Sequence, residues 1–416
     1  MYRHRTTRPW CLTDAIAVVP LDRERIAAVV DDLREALDPQ AATLGDIPPF
    51  DVRLSYRLYK VLLAPVRNGW KDARSLLIVA HGALGQLPFS VLVTEPERLV
   101  AAQPPLISNY RKVAWLARNH AVTVLPSVSA LATLRSLPPA SPTRRGFAGF
   151  GDPQFARTQV ANAKMPETAT ALASRGLIAV RGLPVHLRAA PKLDGVSSAD
   201  LAGLPRLPDT ADEVKGIALA MNADLTRDVF TGKEASEDRV KSMTLSGYKV
   251  LAFATHGLVP GDLNGLAQPA LALSSPKATG GREGGLLTMG EILTLKLDAD
   301  WVVLSACNTD SGNGAGAEAV SGLGRAFFYA GTQALLVSNW PVETTSARML
   351  TTDIFGRQAK DPSLSRAQAL RQSMLGLIDG PGFKDGKGNI VFSYAHPIFW
   401  APFSLVGDGG RGNPTS

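Results

Sequence analysis

Val250-Leu-Ala-Phe-Ala-Thr-His256-Gly257 is an apolar run that ends in a histidine, and Trp301-Val-Val-Leu-Ser-Ala-Cys307 is a second such run that ends in a thiol. Neither alternates apolar with polar residues, so neither has a face suited to water. Short runs that are apolar throughout read as strands buried on both faces, the signature of a parallel sheet between layers of helices. In open sheets of that kind, sites form beyond the carboxyl ends of the strands. His256 is therefore expected at a strand's carboxyl end, with Gly257 allowing a sharp turn and a close backbone approach to a ligand. If the two strands are neighbours, imidazole and thiol emerge side by side.

Further apolar runs at 76–80 and 334–337 read in the same way as strands buried on both faces. Helical signals lie between the strands. Thr210 and Glu213 have capping-box spacing, with Val214, Ile217 and Met221 as an apolar stripe behind them. Residues 318–330 place Val320, Leu323, Phe327 and Ala330 at helical spacing, and Gly331 follows as a stop. Residues 363–378 predict a third helix with Ala367, Leu370, Met374 and Leu377 on one face. Strands alternating with helices predict an α/β fold, a mainly parallel central sheet flanked by helices in three layers. A break near 138–145 divides the chain into an amino-terminal subdomain, 1–145, and a subdomain bearing the histidine and thiol, 146–416. Residues 189–208, rich in Pro, Gly and Ser, read as a connection. The segment 76–93, with His81-Gly82 after its strand, echoes 250–273; a duplicated half without a cysteine and a chance likeness explain this equally well.

Composition narrows the function. Of 416 residues, 45% are hydrophobic and 19% charged, a globular balance. No apolar run is long enough to cross a bilayer, and the basic start of the chain lacks the apolar core of a secretory signal. A soluble, cytoplasmic protein without membrane contact is expected. The net charge of +7 is scattered, its densest cluster being Arg3, Arg5 and Arg8, and no aromatic-and-basic platform for nucleic acid is present. Two cysteines, Cys11 and Cys307, cannot supply a disulfide framework or a structural zinc site. Residues 312–316 are glycine-rich but lack the Gly-Lys-Ser/Thr ending of a phosphate loop. Ser305 lacks the Gly-x-Ser-x-Gly elbow of a serine hydrolase. No metal or cofactor is expected.

The chemistry then falls to Cys307 and His256. A neighbouring imidazolium favours the nucleophilic thiolate, and the histidine can protonate a leaving amine. The backbone N–H groups of Gly257 and Cys307 are the expected oxyanion donors. Cys307, taken alone, also reads as a buried small residue, and His256 as a satisfied core histidine. His81 is the rival base but sits in the segment without a cysteine; His396 reads as an anchor for the last strand, and Cys11 as inert.

Other segments carry a family resemblance. Ala254-Thr-His-Gly-Leu258, Pro269-Ala-Leu-Ala-Leu273, Gly285-Leu-Leu-Thr288 and Glu291-Ile292 resemble the core of CHAT domains. So do Val302-Val-Leu-Ser-Ala-Cys-Asn-Thr309, Gly322-Leu-Gly-Arg-Ala-Phe-Phe-Tyr-Ala-Gly331, Val337-Ser-Asn-Trp340 and His396-Pro-Ile-Phe-Trp-Ala-Pro-Phe403. Leu87-Pro-Phe89, Pro126-Ser127 and Phe150-Gly-Asp-Pro153 extend the likeness to roughly residues 50–408. Two departures stand out. Ala80-His81-Gly82 replaces a common Pro-Asp-Gly, and Gly316-Ala317-Glu318-Ala319 replaces a usual Gly-Glu-Gly.

The resemblance implies a caspase-like cysteine endopeptidase, in the clan of separases, metacaspases and caspases. His256 and Cys307 would be its catalytic pair; their separation matches the roughly 50 residues typical of caspases, although the caspase signature around the cysteine is absent. It further implies cleavage of a specific protein partner in bacterial regulation or defence, and a TPR-type sensor or activator that is either a separate chain or part of a longer protein to which this sequence belongs, since these 416 residues carry no TPR array. A non-catalytic CHAT-like scaffold and a thiol-dependent acyl transferase are the alternatives. For the pocket that would receive the residue before the cut, Asp152, Asp310 and Glu343 are candidate acidic walls that would select Arg or Lys. Each reads equally well as a solvated loop carboxylate.

Overall fold

The computed structural model describes residues 15–100, 104–161, 182–188, 201–307 and 315–410. Among the described residues, twelve strands follow one another: β1 (Ser75–Ile78), β2 (Ala121–Val124), β3 (Arg145–Gly151), β4 (Val229–Thr231), β5 (Tyr248–Leu258), β6 (Ala270–Ala272), β7 (Leu286–Thr288), β8 (Trp301–Cys307), β9 (Ala334–Ser338), β10 (Phe383–Lys384), β11 (Ile390–Phe392) and β12 (Phe403–Gly407). Ten belong to one sheet in the order β1-β2-β12-β9-β8-β5-β3-β4, with β6 and β7 appended to β5; β10 and β11 form a separate hairpin. Along the main path, every pairing is parallel except β12 with β9. The architecture is thus a three-layer α/β sandwich. Its sheet runs continuously from β1 and β2 into the strands that follow residue 145.

Period-two alternation sorts each central strand between two apolar layers. Val250, Ala252 and Ala254 of β5, Trp301 and Val303 of β8, and Ala334 and Leu336 of β9 join one core. That core contains Val214 and Ile217 of helix Asp209–Ala220, Leu350 and Ile354 of helix Thr344–Lys360, and Leu370 and Met374 of helix Arg366–Ile378. Leu251, Phe253, Val302, Leu304, Leu335 and Val337 enter the opposite core, beside Leu323 and Phe327 of helix Ala315–Ala330. Burial on both faces explains why β5, β8 and β9 carry no polar alternation. Helix Ala315–Ala330 stops where expected. Gly331 takes φ 111°, and a Cβ there would strike the carbonyl of Leu297.

Three expectations are corrected. The run 76–80 forms β1 at the sheet's edge, with Leu77 49% exposed, rather than a strand buried on both faces. Gly257 makes no turn: β5 continues to Leu258, exchanging its parallel partner for antiparallel β6, with Gly257 opposite Leu271. Thr210 and Glu213 form no capping box. Helix Asp209–Ala220 has Pro208 at its N-cap without a side-chain cap, and both residues turn inward instead.

Candidate active site

β5 and β8 pair in parallel from Val250↔Trp301 to His256↔Cys307, so the two positions stand opposite each other at the carboxyl end of this ladder. Ser338 closes the far side of β8 by donating its hydroxyl to the Ala306 carbonyl at 2.9 Å.

His256 continues the row of Val250, Ala252 and Ala254 and is wholly buried. Its Nε2 lies 2.8 Å from the carbonyl oxygen of Pro205. A carbonyl only accepts, so Nε2 carries the proton in the neutral ring, and the Nδ1 lone pair is left open. Among the described residues Nδ1 has no hydrogen-bond partner. The Phe155 ring packs 5.7 Å away and shields the imidazole. Burial holds the His256 pKa below its ordinary value, against the opposing pull of the Pro205 carbonyl and the Asp209 charge. In the neutral range the ring is therefore a proton acceptor held at one nitrogen and open at the other.

Beneath this end of the ladder lies a buried polar cluster. Gly151 makes it possible, because a Cβ there would press within 2.7 Å of the Thr210 carbonyl oxygen. The close approach brings the start of helix Asp209–Ala220 against the end of β3. Thr210 then accepts a hydrogen bond from the Asp152 N–H at 2.6 Å and donates to the Leu207 carbonyl at 2.7 Å. One turn on, the buried Glu213 carboxylate accepts from Ser305 Oγ at 3.2 Å, from Thr351 Oγ1 at 3.3 Å and from the Arg188 guanidinium. Arg188 also reaches Ser305 Oγ at 3.1 Å and, through Nε, Asp209 at 2.6 Å.

Residues 182–188 bring Arg188 in as an extended strip. Its backbone bonds Leu44 and Ala42 at one end. At the other, Leu187 forms an antiparallel bridge with Glu343, flanked by Arg188 N–H to the Val342 carbonyl at 3.0 Å and Thr344 N–H to the His186 carbonyl at 3.1 Å.

The sequence candidates fare differently. His256 and Cys307 are brought into register. Asp152 lies just past β3 at φ 52°, with both carboxylate oxygens on Arg206 at 2.7 and 2.6 Å, so its charge is already paired. Glu343 caps helix Thr344–Lys360, accepting from the N–H groups of Thr345 and Ser346 at 3.1 and 2.7 Å. Asp310 and Cys11 lie outside the described residues. His81 is exposed at the start of a 3-10 turn. His396 is buried against Phe50 and Tyr110 and caps helix Pro397–Trp400 just before β12, consistent with an anchoring role. Pro205, Asp209, Glu213 and Arg188 were not expected at the site. The one available signal is Glu213, a carboxylate directly beside the apolar stripe that begins at Val214.

Away from this end, Glu237, Glu283 and Glu291 gather closely enough to hold a cation. The Lys241 ammonium already contacts all three, at 2.7, 2.9 and 2.7 Å, which makes the group an ion-pair network. No described helix is long and apolar enough to cross a membrane.

The chain is an α/β protein whose largely parallel sheet brings His256 and Cys307 into register at one ladder end. The CHAT domain model matches residues 52–408, and the chain belongs to that family. It is 30% identical to human (Homo sapiens) tetratricopeptide repeat protein 28 and 29% identical to the mouse (Mus musculus) protein of that name, each over 131 residues, or 32% of this chain. The chain spans only 5% of the length of those repeat proteins. Among solved structures it resembles separase, from a Saccharomyces cerevisiae separase–securin complex, with TM-score 0.37 and 11% identity over 72% of this chain and 14% of that one. It also resembles the Arg-specific cysteine proteinase gingipain R, with TM-score 0.40 and 9% identity over 93% of this chain and 74% of that one.

Proposed function

We propose that the chain is a cysteine endopeptidase in which Cys307 is the nucleophile and His256 its base and acid. The observation that carries this reading is the His256↔Cys307 register combined with an imidazole tied to Pro205 at Nε2 and open at Nδ1. Residues in register on neighbouring strands share a face of the sheet. His256 Nδ1 then takes the thiol proton as sulfur attacks a peptide carbonyl, and returns it to the departing amine. The Pro205 carbonyl keeps the ring oriented and, with the nearby Asp209 charge, favours its protonated form. The backbone N–H groups of Gly257 and Cys307 are the proposed oxyanion donors.

The substrate is proposed to be a specific protein partner, and a tetratricopeptide-repeat protein to be the sensor or activator. Likeness to named repeat proteins supports the second point. A setting in bacterial regulation or defence rests on family resemblance alone.

The test is mass labelling with a thiol-reactive peptide electrophile. One adduct is expected on Cys307, absent in Cys307→Ala and slowed in His256→Ala. Labelling of Cys11 with Cys307 untouched, in the presence of candidate repeat partners, would favour the scaffold reading. Transfer of the acyl group to an added amine in preference to water would favour an acyl transferase.

A further inference from the structure

We infer that residues 186–188 occupy the substrate cleft as an internal substrate, with Arg188 as the residue before the cut. The socket holding Arg188, built from Asp209, Glu213 and Ser305, would then select arginine in other substrates. This rests on the peptidase reading above and adds its substrate class.

Three observations converge. The first is the mode of binding. Residues 186–188 add to the chain at 342–344 by antiparallel backbone pairing, the way extended peptides are captured on an exposed edge. The second is the socket. The Arg188 side chain is only 2% exposed and contacts two carboxylates and one hydroxyl. The pairing is charge-assisted and suits a planar guanidinium better than a point ammonium. The third is position. Ser305 precedes Cys307 by two residues on β8, roughly 6.6 Å along the strand. The Arg188 guanidinium thus rests on the residue two positions before the proposed nucleophile on the same strand. Asp209, which holds Arg188 Nε, also acts electrostatically on His256, so socket and base adjoin.

The step balances without a co-reactant other than water. The Cys307 sulfur bonds to the Arg188 carbonyl carbon while His256 holds the thiol proton. The C–N bond on the carboxyl side of Arg188 breaks, and the amine leaves with that proton. Water then adds its hydroxyl to the thioester carbon, and its remaining proton restores the thiol. Arg188 ends as a free carboxylate, still paired to 342–344, and must leave before a second substrate enters.

The experiment uses the full chain and its Cys307→Ala variant, followed by intact mass and amino-terminal sequencing. Alongside it, Cys307 is labelled with peptidyl acyloxymethyl ketones ending in Leu-Arg, Leu-Asp or Leu-Leu. We expect fragments 1–188 and 189–416, absent in Cys307→Ala and Arg188→Ala and retained at a lower rate in Arg188→Lys. The Arg-ending probe should label fastest, and faster still in Arg188→Ala, where the cleft is vacated. Glu213→Gln should reduce its advantage roughly 10- to 100-fold, the worth of a charged hydrogen bond, while iodoacetamide still modifies Cys307. A chain that stays whole while Cys307 takes the probes, a cut at the same bond in Arg188→Ala, or a preference for the Asp or Leu probe would overturn the inference and leave the peptidase reading intact. Failure of every peptide probe with no fragment formed, while iodoacetamide reacts, would defeat the peptidase reading itself.

Discussion

Replacing Glu213 with alanine removes one wall of the cluster beneath the β5–β8 ladder, and the consequences can be worked through. The carboxylate is buried and accepts from Arg188, Ser305 and Thr351. Breaking a buried pair by removing one partner costs about 3–5 kcal/mol, since the other charge stays desolvated. Asp209 still holds Arg188 Nε at 2.6 Å and is itself only partly buried, which places the expected loss near the lower end, about 3 kcal/mol. Measured by urea unfolding in the Cys307→Ala background, so that no self-cleavage intervenes, the loss appears as a lower midpoint at unchanged slope. Adding Arg188→Met removes the stranded charge, and the double variant should regain at least about 1 kcal/mol over the sum of the single effects. A loss in Glu213→Ala below about 1 kcal/mol, or strict additivity in the cycle, would refute the claim that these residues form one buried unit.

Three further outcomes follow from single residues. Burial pushes His396 down to about 3 from its ordinary value of 6.5, so the unfolded chain binds a proton that the folded chain refuses. Stability should therefore fall as pH drops below about 6.5, by up to about 1.4 kcal/mol per pH unit from this residue; denaturant titrations of His396→Gln should show a flatter dependence. Gly151→Ala drives a Cβ against the Thr210 carbonyl and should cost about 1–3 kcal/mol by overpacking. The same variant should slow electrophile labelling of Cys307, because the helix carrying Asp209 and Glu213 must move. Glu343→Ala strips two N–H partners from helix Thr344–Lys360 and should lower stability by about 1 kcal/mol in thermal unfolding.

Much of the central sheet was legible because burial on both faces leaves a direct trace. β5, β8 and β9 read as unbroken apolar runs, and their layers follow from alternation. β1 carries the same trace but lies at the edge, because strand order is a tertiary property that an apolar run does not encode. Gly257 has the freedom to turn, yet β6 offers it a ladder partner, and pairing backbone groups outweighs that freedom. The pair His256 and Cys307 could be read as two strand ends, but their register could not. Pro205 was invisible for a simple reason: it acts through a carbonyl, which every residue has. Thr210 and Glu213 matched a capping box by spacing, but in the fold Thr210 bonds the Leu207 carbonyl and Glu213 is bonded by Arg188, Ser305 and Thr351, partners that spacing does not reveal. Arg188 lay in a stretch with no periodic signal, and its place is set by pairing with a loop more than 150 residues away.

The most direct test is the pH dependence of Cys307 alkylation by iodoacetamide, compared between the wild-type chain and His256→Ala. With imidazole and sulfur acting on the same proton, reactivity in the wild type should rise at a pH below the ordinary thiol value of about 8.5. Removing the ring should return the inflection to about that value. Superimposable profiles would show that the histidine does not sense the thiol, and the proposed pair would be excluded.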